Sequence, residues 1–205
     1  VDWPLLRAVG AFAERPGQSS ITLAVSPSWT ATAADPTCRT AVRRELERRS
    51  REGRIDRGLL RFVASSGDGD AIQLIRRWIA SGAVDVIPTT ASHTWIPSVA
   101  SDPLLARLQV RTAAVDHTRR FGAPPSGIWL PYLGYAPGLE TVLAEQGLRH
   151  FSVSEDVFVR GTINPPSGTL APMVTPCGVA AFAVPRSPTN LALDPRTGYG
   201  LDPRY

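Results

Sequence analysis

Short apolar runs alternate with longer segments of helical periodicity along this chain, and this alternation constrains the fold more than any other feature. The runs are 21–25, 84–88, 127–130, 150–154 and 178–184. Each has the length and apolar character of a strand buried inside a sheet. Strands that alternate with helices predict an α/β domain with parallel strands. A barrel, or part of one, fits this pattern as well as an open sheet does.

The segments between the runs place apolar residues near the 3.6-residue period of a helix. They predict helices over 3–14, 36–52, 56–65, 70–81, 102–121 and 137–147. Pro36 follows Asp35, and Pro103 follows Asp102, which is the cap-then-proline pattern found where helices begin. No G-x-G-x-x-G pattern follows a strand, so no dinucleotide site is predicted.

The chain of 205 residues is long enough for one domain with a substantial core. No internal repeat or clear boundary divides it, so we expect a single (β/α) domain over 1–205. Beyond residue 160 the sequence becomes rich in Pro, Gly and Asp, apart from the last apolar run. We therefore expect 160–205 to form an irregular extension over the strand ends.

The densest basic segment is 43–61, in a chain with a net charge of +4 whose basic residues are all Arg. Glu45, Glu47 and Glu52 lie among its arginines at spacings that form ion pairs on a helix. A solvated helix face accounts for the segment better than a nucleic-acid surface does, so no nucleic-acid partner is expected.

No apolar stretch is long enough to span a membrane, and no signal peptide is visible at the start of the chain. The two cysteines, Cys38 and Cys177, could form one bridge, but two reduced thiols are favoured. These observations favour a cytoplasmic protein without a membrane partner. No spacing typical of a metal site is present, and we expect no metal and no cofactor.

Aromatic and polar side chains collect on the loops after three predicted strands. They are His93 and Trp95, then Tyr132 and Tyr135, then Asp156. In a barrel, the loops after the strand C-terminal ends carry the chemistry, so neighbouring strands would turn these side chains toward one cavity. Rings beside hydroxyls and an imidazole suit a sugar, because aromatic rings stack on the apolar faces of pyranoses.

Each of these residues also has an ordinary structural role open to it. His93 could be a hydrogen-bonded loop residue, Trp95 and Trp129 could belong to the core, and Tyr132 could cover the rim of a barrel. Glu140 lies in the first turn of a predicted helix, where a carboxylate stabilises the helix dipole. For His117 and His150 the sequence suggests no partner.

Three stretches of the chain resemble glycoside hydrolase family 57, in particular its α-1,4-glucan branching enzymes. The stretch 82–99 (GAVDVIPTTASHTWIPSV) is similar to the family's segment with a Thr-His pair after a strand. The stretch 121–151, which contains GIWLPYLGY, resembles the segment around the catalytic Trp-Leu-Pro-Glu motif. The stretches 171–184 and 194–205 look like the later region that ends in Gly-Tyr-Pro-Gly-Asp. The order and spacing agree over essentially the whole chain.

The resemblance implies a partial (β/α)7 barrel whose parallel strands alternate with helices and which is incomplete at both ends. The family cleaves an α-1,4 link with retention and passes the glycosyl group to a 6-hydroxyl. An α-glucan such as glycogen or a maltooligosaccharide is therefore the implied partner. The residues implied to contact it are His93, Trp95, Trp129, Tyr135 and Asp156. The family's early His-containing strand would precede Val1 and its acid/base Asp would follow Tyr205, so missing segments or a partner chain would complete the barrel.

Tyr132 stands where the family has its catalytic Glu, and this is the most important departure from the pattern. Retaining glycosidases need two carboxylates about 5 Å apart, and a phenol is a poor replacement at neutral pH. In addition, 154–156 reads Ser-Glu-Asp where the family has Asp-Thr-His, and 184–186 reads Val-Pro-Arg where it has Arg-Asp-Pro.

We therefore expect a family-57-like domain with a degenerate active site that binds α-glucan with weak or no catalysis. The alternative is an active 1,4-α-glucan branching enzyme that uses a rearranged nucleophile, so enzymatic activity stays open. A related polysaccharide deacetylase would need a metal held by His and Asp, and the sequence has no such cluster. An interaction module would rest only on the arginine-rich segment 43–61.

Overall fold

The computed structural model describes residues 2–14, 20–55, 57–67, 69–160 and 167–186. Residue contacts divide the chain into two compact units. The first unit comprises Val1–His93 and Thr112–Pro125, and the second comprises Thr94–Arg111 and Ser126–Tyr205. The single domain expected over 1–205 stays a prediction. Much of the expected extension 160–205 lies outside the described residues.

The first unit contains two parallel strands and most of the helices. In chain order its elements are α1 (Trp3–Ala13), β1 (Ile21–Val25), α2 (Pro27–Ala34), α3 (Pro36–Arg51), α4 (Arg57–Ser65), α5 (Ala71–Ala80) and β2 (Val84–Pro88). Strands β1 and β2 pair in register from Ile21 opposite Val84 to Val25 opposite Pro88. Helix α6 (Pro103–Phe121) begins in the second unit and ends in the first.

Side-chain caps explain where several of these helices begin. The Asp2 carboxylate accepts a hydrogen bond from the Leu5 N–H, and the Asp35 carboxylate accepts one from the Cys38 N–H. The Ser26 hydroxyl likewise accepts from the Trp29 N–H. Such a cap satisfies a backbone donor that has no partner inside the helix.

Helix α1, helix α5 and strand β2 supply much of the core of the first unit. Its buried members include Trp3, Leu6, Val9, Ile72, Ile75, Trp78, Val84 and Val86. In β2, Val84 and Val86 are buried while Asp85 between them is exposed. This two-residue period is that of a strand with one face on a core.

The second unit is built on a four-stranded sheet. Its strands are β3 (Gly127–Ile128), β4 (His150–Ser154), β5 (Met173–Val174) and β6 (Ala180–Val184), in the order β3-β4-β6-β5. The pairs β3–β4 and β4–β6 are parallel, whereas β5 pairs antiparallel with β6. Beside α6, the second unit has helices α7 (Leu139–Glu145) and α8 (Glu155–Val159) and two short 3-10 helices, Ile96–Val99 and Pro131–Leu133. The core includes Ile128, Leu130, Leu143, Phe151, Val153 and Phe158.

Some elements differ from those expected. The predicted strand 127–130 is limited to its first two residues, and the predicted helix 137–147 begins only at Leu139 because Gly138 has a left-handed φ of 91°. Helices α2 and α8 and strand β5 were not predicted. Both cysteines are free thiols. Within the described ranges, every helix is too short or too polar to cross a bilayer.

His117 has partners that the sequence did not suggest. Its Nε2 lies 3.0 Å from the Val86 carbonyl oxygen, and its Nδ1 lies 3.0 Å from the Ala123 carbonyl oxygen. The ring is buried and fixes the end of α6 to β2 within the first unit. His150, also without an expected partner, meets Phe182 edge to face with 6.0 Å between ring centroids.

Candidate functional site

The loop that follows β3 has a strained backbone. Tyr132 and Leu133 have φ angles of 54° and 55°, in the left-handed region that side chains with a Cβ avoid. The Leu133 N–H donates to the Leu130 carbonyl oxygen at 2.9 Å, and the Gly134 N–H donates to that of Pro131 at 3.0 Å. Tyr132 is 80% exposed, so burial of its ring does not explain the strain. Strain of this kind costs about 1–3 kcal/mol per residue and is concentrated at functional sites.

Gly134 lies directly against the indole of Trp95. A Cβ on residue 134 would overlap Cδ1 and Nε1 of Trp95 and would come within 3.0 Å of Pro97 Cδ. Trp95 is still 48% exposed, which contradicts its reading as a core residue. The close approach therefore holds one side of the indole against the loop and leaves a large part of the ring open to solvent.

Tyr135 is fixed by stacking and by a hydrogen bond. Its ring stacks on Phe151 with 5.6 Å between centroids and 16° between planes. Its hydroxyl donates to Glu140 Oε2 at 2.8 Å, and the same oxygen accepts the Gly138 N–H at 3.1 Å. Burial, followed by the hydrogen bond to Glu140, raises the pKa of Tyr135 to about 12. Tyr135 is therefore a neutral hydrogen-bond donor at physiological pH.

Asp156 lies in the first turn of α8 and forms an ion pair with Arg186, which follows β6. The neighbouring Glu155 accepts a hydrogen bond from the backbone N–H of Arg186 at 2.9 Å. Two strand-end segments of the second unit are thereby joined. Trp129, next to β3, is half-buried between the fully buried Ile128 and Leu130.

His93 belongs to the first unit, whereas the other five predicted site residues belong to the second. It has a left-handed φ of 56°, its N–H donates to the Thr90 carbonyl oxygen at 3.0 Å, and its Nδ1 lies 3.4 Å from Thr89 Oγ1. A mostly apolar cavity of about 220 Å³ opens beside it at the C-terminal ends of β1 and β2. Its lining includes Leu23, Ser26, Trp29, Thr89 and His93.

In both units, non-glycine residues with a left-handed φ angle lie on loops that follow parallel strands. The three non-glycine residues with positive φ in the described part of the chain are His93, Tyr132 and Leu133, and all follow parallel strands. Across the same described ranges, no three His, Cys, Asp or Glu side chains form a group that could hold a metal ion.

Three contributors to the site were not predicted. Gly134 and its contact with Trp95 could have been suspected from a glycine between two tyrosines, since glycine permits a close approach that other residues block. Glu140 was assigned only a role at its helix terminus, although it also accepts the Tyr135 hydroxyl. Arg186 comes together with Asp156 only through the pairing of β4 with β6, which the sequence does not reveal.

The sequence model of glycosyl hydrolase family 57 matches residues 17–187. A 1,4-alpha-glucan branching enzyme from Thermococcus kodakarensis is 31% identical over 109 residues, or 46% of this chain and 16% of the enzyme. A probable 1,4-alpha-glucan branching enzyme from Mycobacterium tuberculosis is 35% identical over 80 residues, or 39% of this chain and 15% of that protein. The alignments thus span about one-sixth of these curated relatives.

Two solved structures are similar across nearly the whole chain. The alpha-amylase AmyC from Thermotoga maritima aligns with a TM-score of 0.80 at 22% identity, over 98% of this chain and 42% of that one. A family 57 branching enzyme from Thermococcus kodakarensis, solved with glucose, aligns with a TM-score of 0.74 at 23% identity. The alignment covers 96% of this chain and 44% of that enzyme. These likenesses confirm the predicted α/β fold class of the partial (β/α)7 barrel type. Because the family model matches most of its residues, the chain belongs to glycosyl hydrolase family 57.

Proposed function

We propose that this chain is the α-glucan-binding part of a family 57 protein whose active site has weak or no glycosidic activity. The proposed ligand is glycogen or a maltooligosaccharide. In the second unit, the proposed contact residues are Trp95, Trp129, Tyr135 and Asp156. His93 of the first unit is proposed separately, beside the cavity at the ends of β1 and β2. The free thiols Cys38 and Cys177 fit the cytoplasm as the proposed compartment.

One observation carries the proposal: Tyr132, at the motif position of the family's nucleophile, is an exposed phenol on a strained turn. Retaining hydrolysis or transfer needs a carboxylate that can attack the anomeric carbon. The turn still presents a side chain at this point, but the side chain is no longer a carboxylate. A strained, exposed turn that carries a phenol instead of a carboxylate favours binding over turnover.

Three carboxylates in the described part of the second unit bind neighbouring groups. Glu140 accepts from the Tyr135 hydroxyl and the Gly138 N–H. Glu155 accepts from the backbone of Arg186, and Asp156 pairs with the Arg186 side chain. These three carboxylates therefore already bind groups of the protein, and none of them lies at the motif position of the nucleophile.

Exposed rings supply the surface for a glucan. Trp95 and Tyr132 both keep large exposed fractions, although aromatic side chains of this size are usually buried. A pyranose covers such a ring with its apolar face while its hydroxyls remain available for hydrogen bonds. These two exposed rings within one unit support sugar binding.

The test compares the natural protein with Tyr132→Glu and Tyr132→Phe. Because the chain covers less than half of each solved relative, the assays use the full natural protein. We expect all three proteins to bind maltoheptaose, the natural protein and Tyr132→Phe to show the same weak or absent activity on amylose, and only Tyr132→Glu to show more. Amylose branching or hydrolysis by the natural protein that Tyr132→Phe abolishes would contradict the proposal.

An active 1,4-α-glucan branching enzyme is the second candidate function. It is favoured by the names of the relatives, which are branching enzymes at 31% and 35% identity. In that case another residue would have to replace the nucleophile, because losing one outright removes many powers of ten in rate. A covalent glycosyl adduct detected by mass spectrometry on any residue would decide for this candidate.

A further inference from the structure

We propose that Tyr135 and Glu140 are positioning residues that hold Gly134 against Trp95 and thereby set the aromatic surface offered to a glucan. This inference rests on the proposed function for the ligand. The geometry behind it concerns one loop, 131–138, and its attachments to the rest of the second unit.

The first attachment is the hydrogen bond from the Tyr135 hydroxyl to Glu140 Oε2, 2.8 Å long. The same carboxylate oxygen accepts the Gly138 N–H at 3.1 Å, so Glu140 holds the loop at two of its residues. A hydrogen bond that ends on a charged oxygen is stronger than a neutral one. Glu140 is itself fixed in the first turn of α7, whose buried face packs in the core.

The packing of Tyr135 is incomplete on one side. Its ring stacks on Phe151 on one side, but it also lines an apolar cavity of about 250 Å³ with Val153, Phe158 and Met173. A ring beside empty space loses contacts that would otherwise fix it. The hydrogen bond to Glu140 therefore adds to the stacking a directional contact that holds the hydroxyl end of the ring.

The position of Tyr135 is transmitted to Trp95 through Gly134. Adjacent Cα atoms are a fixed distance of about 3.8 Å apart, so a shift of residue 135 moves residue 134. Gly134 touches the indole so closely that no Cβ fits between them. Release of Tyr135 would also let the strained Tyr132 and Leu133 relax and carry the loop away from the indole.

The experiment compares Glu140→Ala, Glu140→Gln and Tyr135→Phe in the full natural protein. Glu145→Ala is the matched control, because Glu145 lies on the same helix and forms an exposed pair with Arg107. Acrylamide quenching of Trp95 fluorescence reports on the exposure of the indole without any ligand. The Trp95 signal of each variant is obtained by subtracting the fluorescence of the same variant that also carries Trp95→Phe. Calorimetry with maltoheptaose reports on binding, and circular dichroism reports on the fold.

We expect Glu140→Ala and Tyr135→Phe to increase quenching of Trp95 and to raise the Kd for maltoheptaose about tenfold, the effect of losing one charge-assisted hydrogen bond. Glu140→Gln keeps an acceptor oxygen and should restore both readouts. Glu145→Ala should change neither. Rescue by the amide distinguishes positioning from general stability.

Unchanged quenching in Glu140→Ala and Tyr135→Phe, with folded proteins, would overturn the positioning role even where glucan binds. Increased quenching in the control Glu145→Ala to the same extent would also overturn it. If the natural protein does not bind maltoheptaose at all, the proposed function fails, and the quenching series still decides whether Glu140 positions the indole.

Discussion

Gly134 and Trp95 interlock: the indole occupies the space that any side chain at residue 134 would need. We therefore expect Gly134→Ala to push the ring or the loop away, at a cost of about 1–3 kcal/mol in the free energy of unfolding. The Kd for maltoheptaose should rise in the same variant. Urea unfolding followed by circular dichroism measures the first effect, and calorimetry measures the second.

A double-mutant cycle with Trp95→Ala checks the cause of this cost. Removing the indole takes away the atoms that the new methyl group meets, so Gly134→Ala should become nearly neutral in that background. An equal destabilisation in both backgrounds would mean that the backbone of Gly134, rather than its contact with Trp95, needs glycine.

Asp116 and Thr30 form a buried polar pair in the first unit. The Thr30 hydroxyl donates to Asp116 Oδ2, and Arg119 Nη2 lies 2.6 Å from Oδ1, although Asp116 is only 7% exposed. Asp116→Ala should lower the free energy of unfolding by about 2 kcal/mol, because the donors around it lose a charged acceptor. Urea unfolding provides the measurement.

Thr30→Val tests how much the Thr30 hydroxyl contributes to the free energy of unfolding. It keeps the shape of the side chain and removes the hydroxyl, which contacts the Pro27 carbonyl oxygen at 3.0 Å as well as Asp116, so we expect a loss of about 1 kcal/mol. Glu145→Ala, which breaks an exposed pair with Arg107, should cost less than about 1 kcal/mol. A loss from Asp116→Ala no larger than that of Glu145→Ala would show that the buried pair is not a stabilising contact.

Local patterns were sufficient to predict much of the fold. Strands β1, β2 and β4 have the expected bounds, because each is a short apolar run that needs no distant information. Helix α2 was missed because its threonines and alanines carry no apolar period and only Ser26 before Pro27 marks its start. Strand β5 consists of two residues and exists because β6 offers it a partner, which is a tertiary effect.

The sequence predicted several residues of the candidate site by their type, but it did not predict the contacts between them. Aromatic residues on strand-end loops pointed to Trp95, Tyr132 and Tyr135, since parallel strands carry functional loops at one end. The contact of Gly134 with Trp95 joins segments far apart in the chain, so no local pattern encodes it. The left-handed φ angle at Tyr132 is also set by the surrounding turn rather than by its own preference.

The raised pKa of Tyr135, about 12, predicts a dependence of stability on alkaline pH. The folded protein holds this proton more tightly than the unfolded chain, where tyrosine titrates near about pH 10. The contribution of the group should be intact below about pH 10 and should be lost as pH rises toward about 12. The difference in unfolding free energy between the natural protein and Tyr135→Phe, followed across this range, measures it; a difference independent of pH would contradict the assignment.

Substitutions of Asp156 and Arg186 test whether Asp156 contacts the glucan directly or acts through Arg186. Their ion pair is partly exposed and should contribute less than about 1 kcal/mol, so neither Asp156→Ala nor Arg186→Ala is expected to change Tm much. If the Asp156 carboxylate binds a sugar hydroxyl, Asp156→Ala should raise the Kd for maltoheptaose about tenfold.

Arg186→Ala should then leave the Kd unchanged or lower it, because it frees the carboxylate for the sugar. Equal losses in both variants would mean that Asp156 acts by holding Arg186 in place, since either substitution removes the same pair. An unchanged Kd in Asp156→Ala would remove this residue from the glucan site and limit the site in the second unit to its aromatic side chains. Calorimetric titration of the two single variants and the double variant distinguishes these three results.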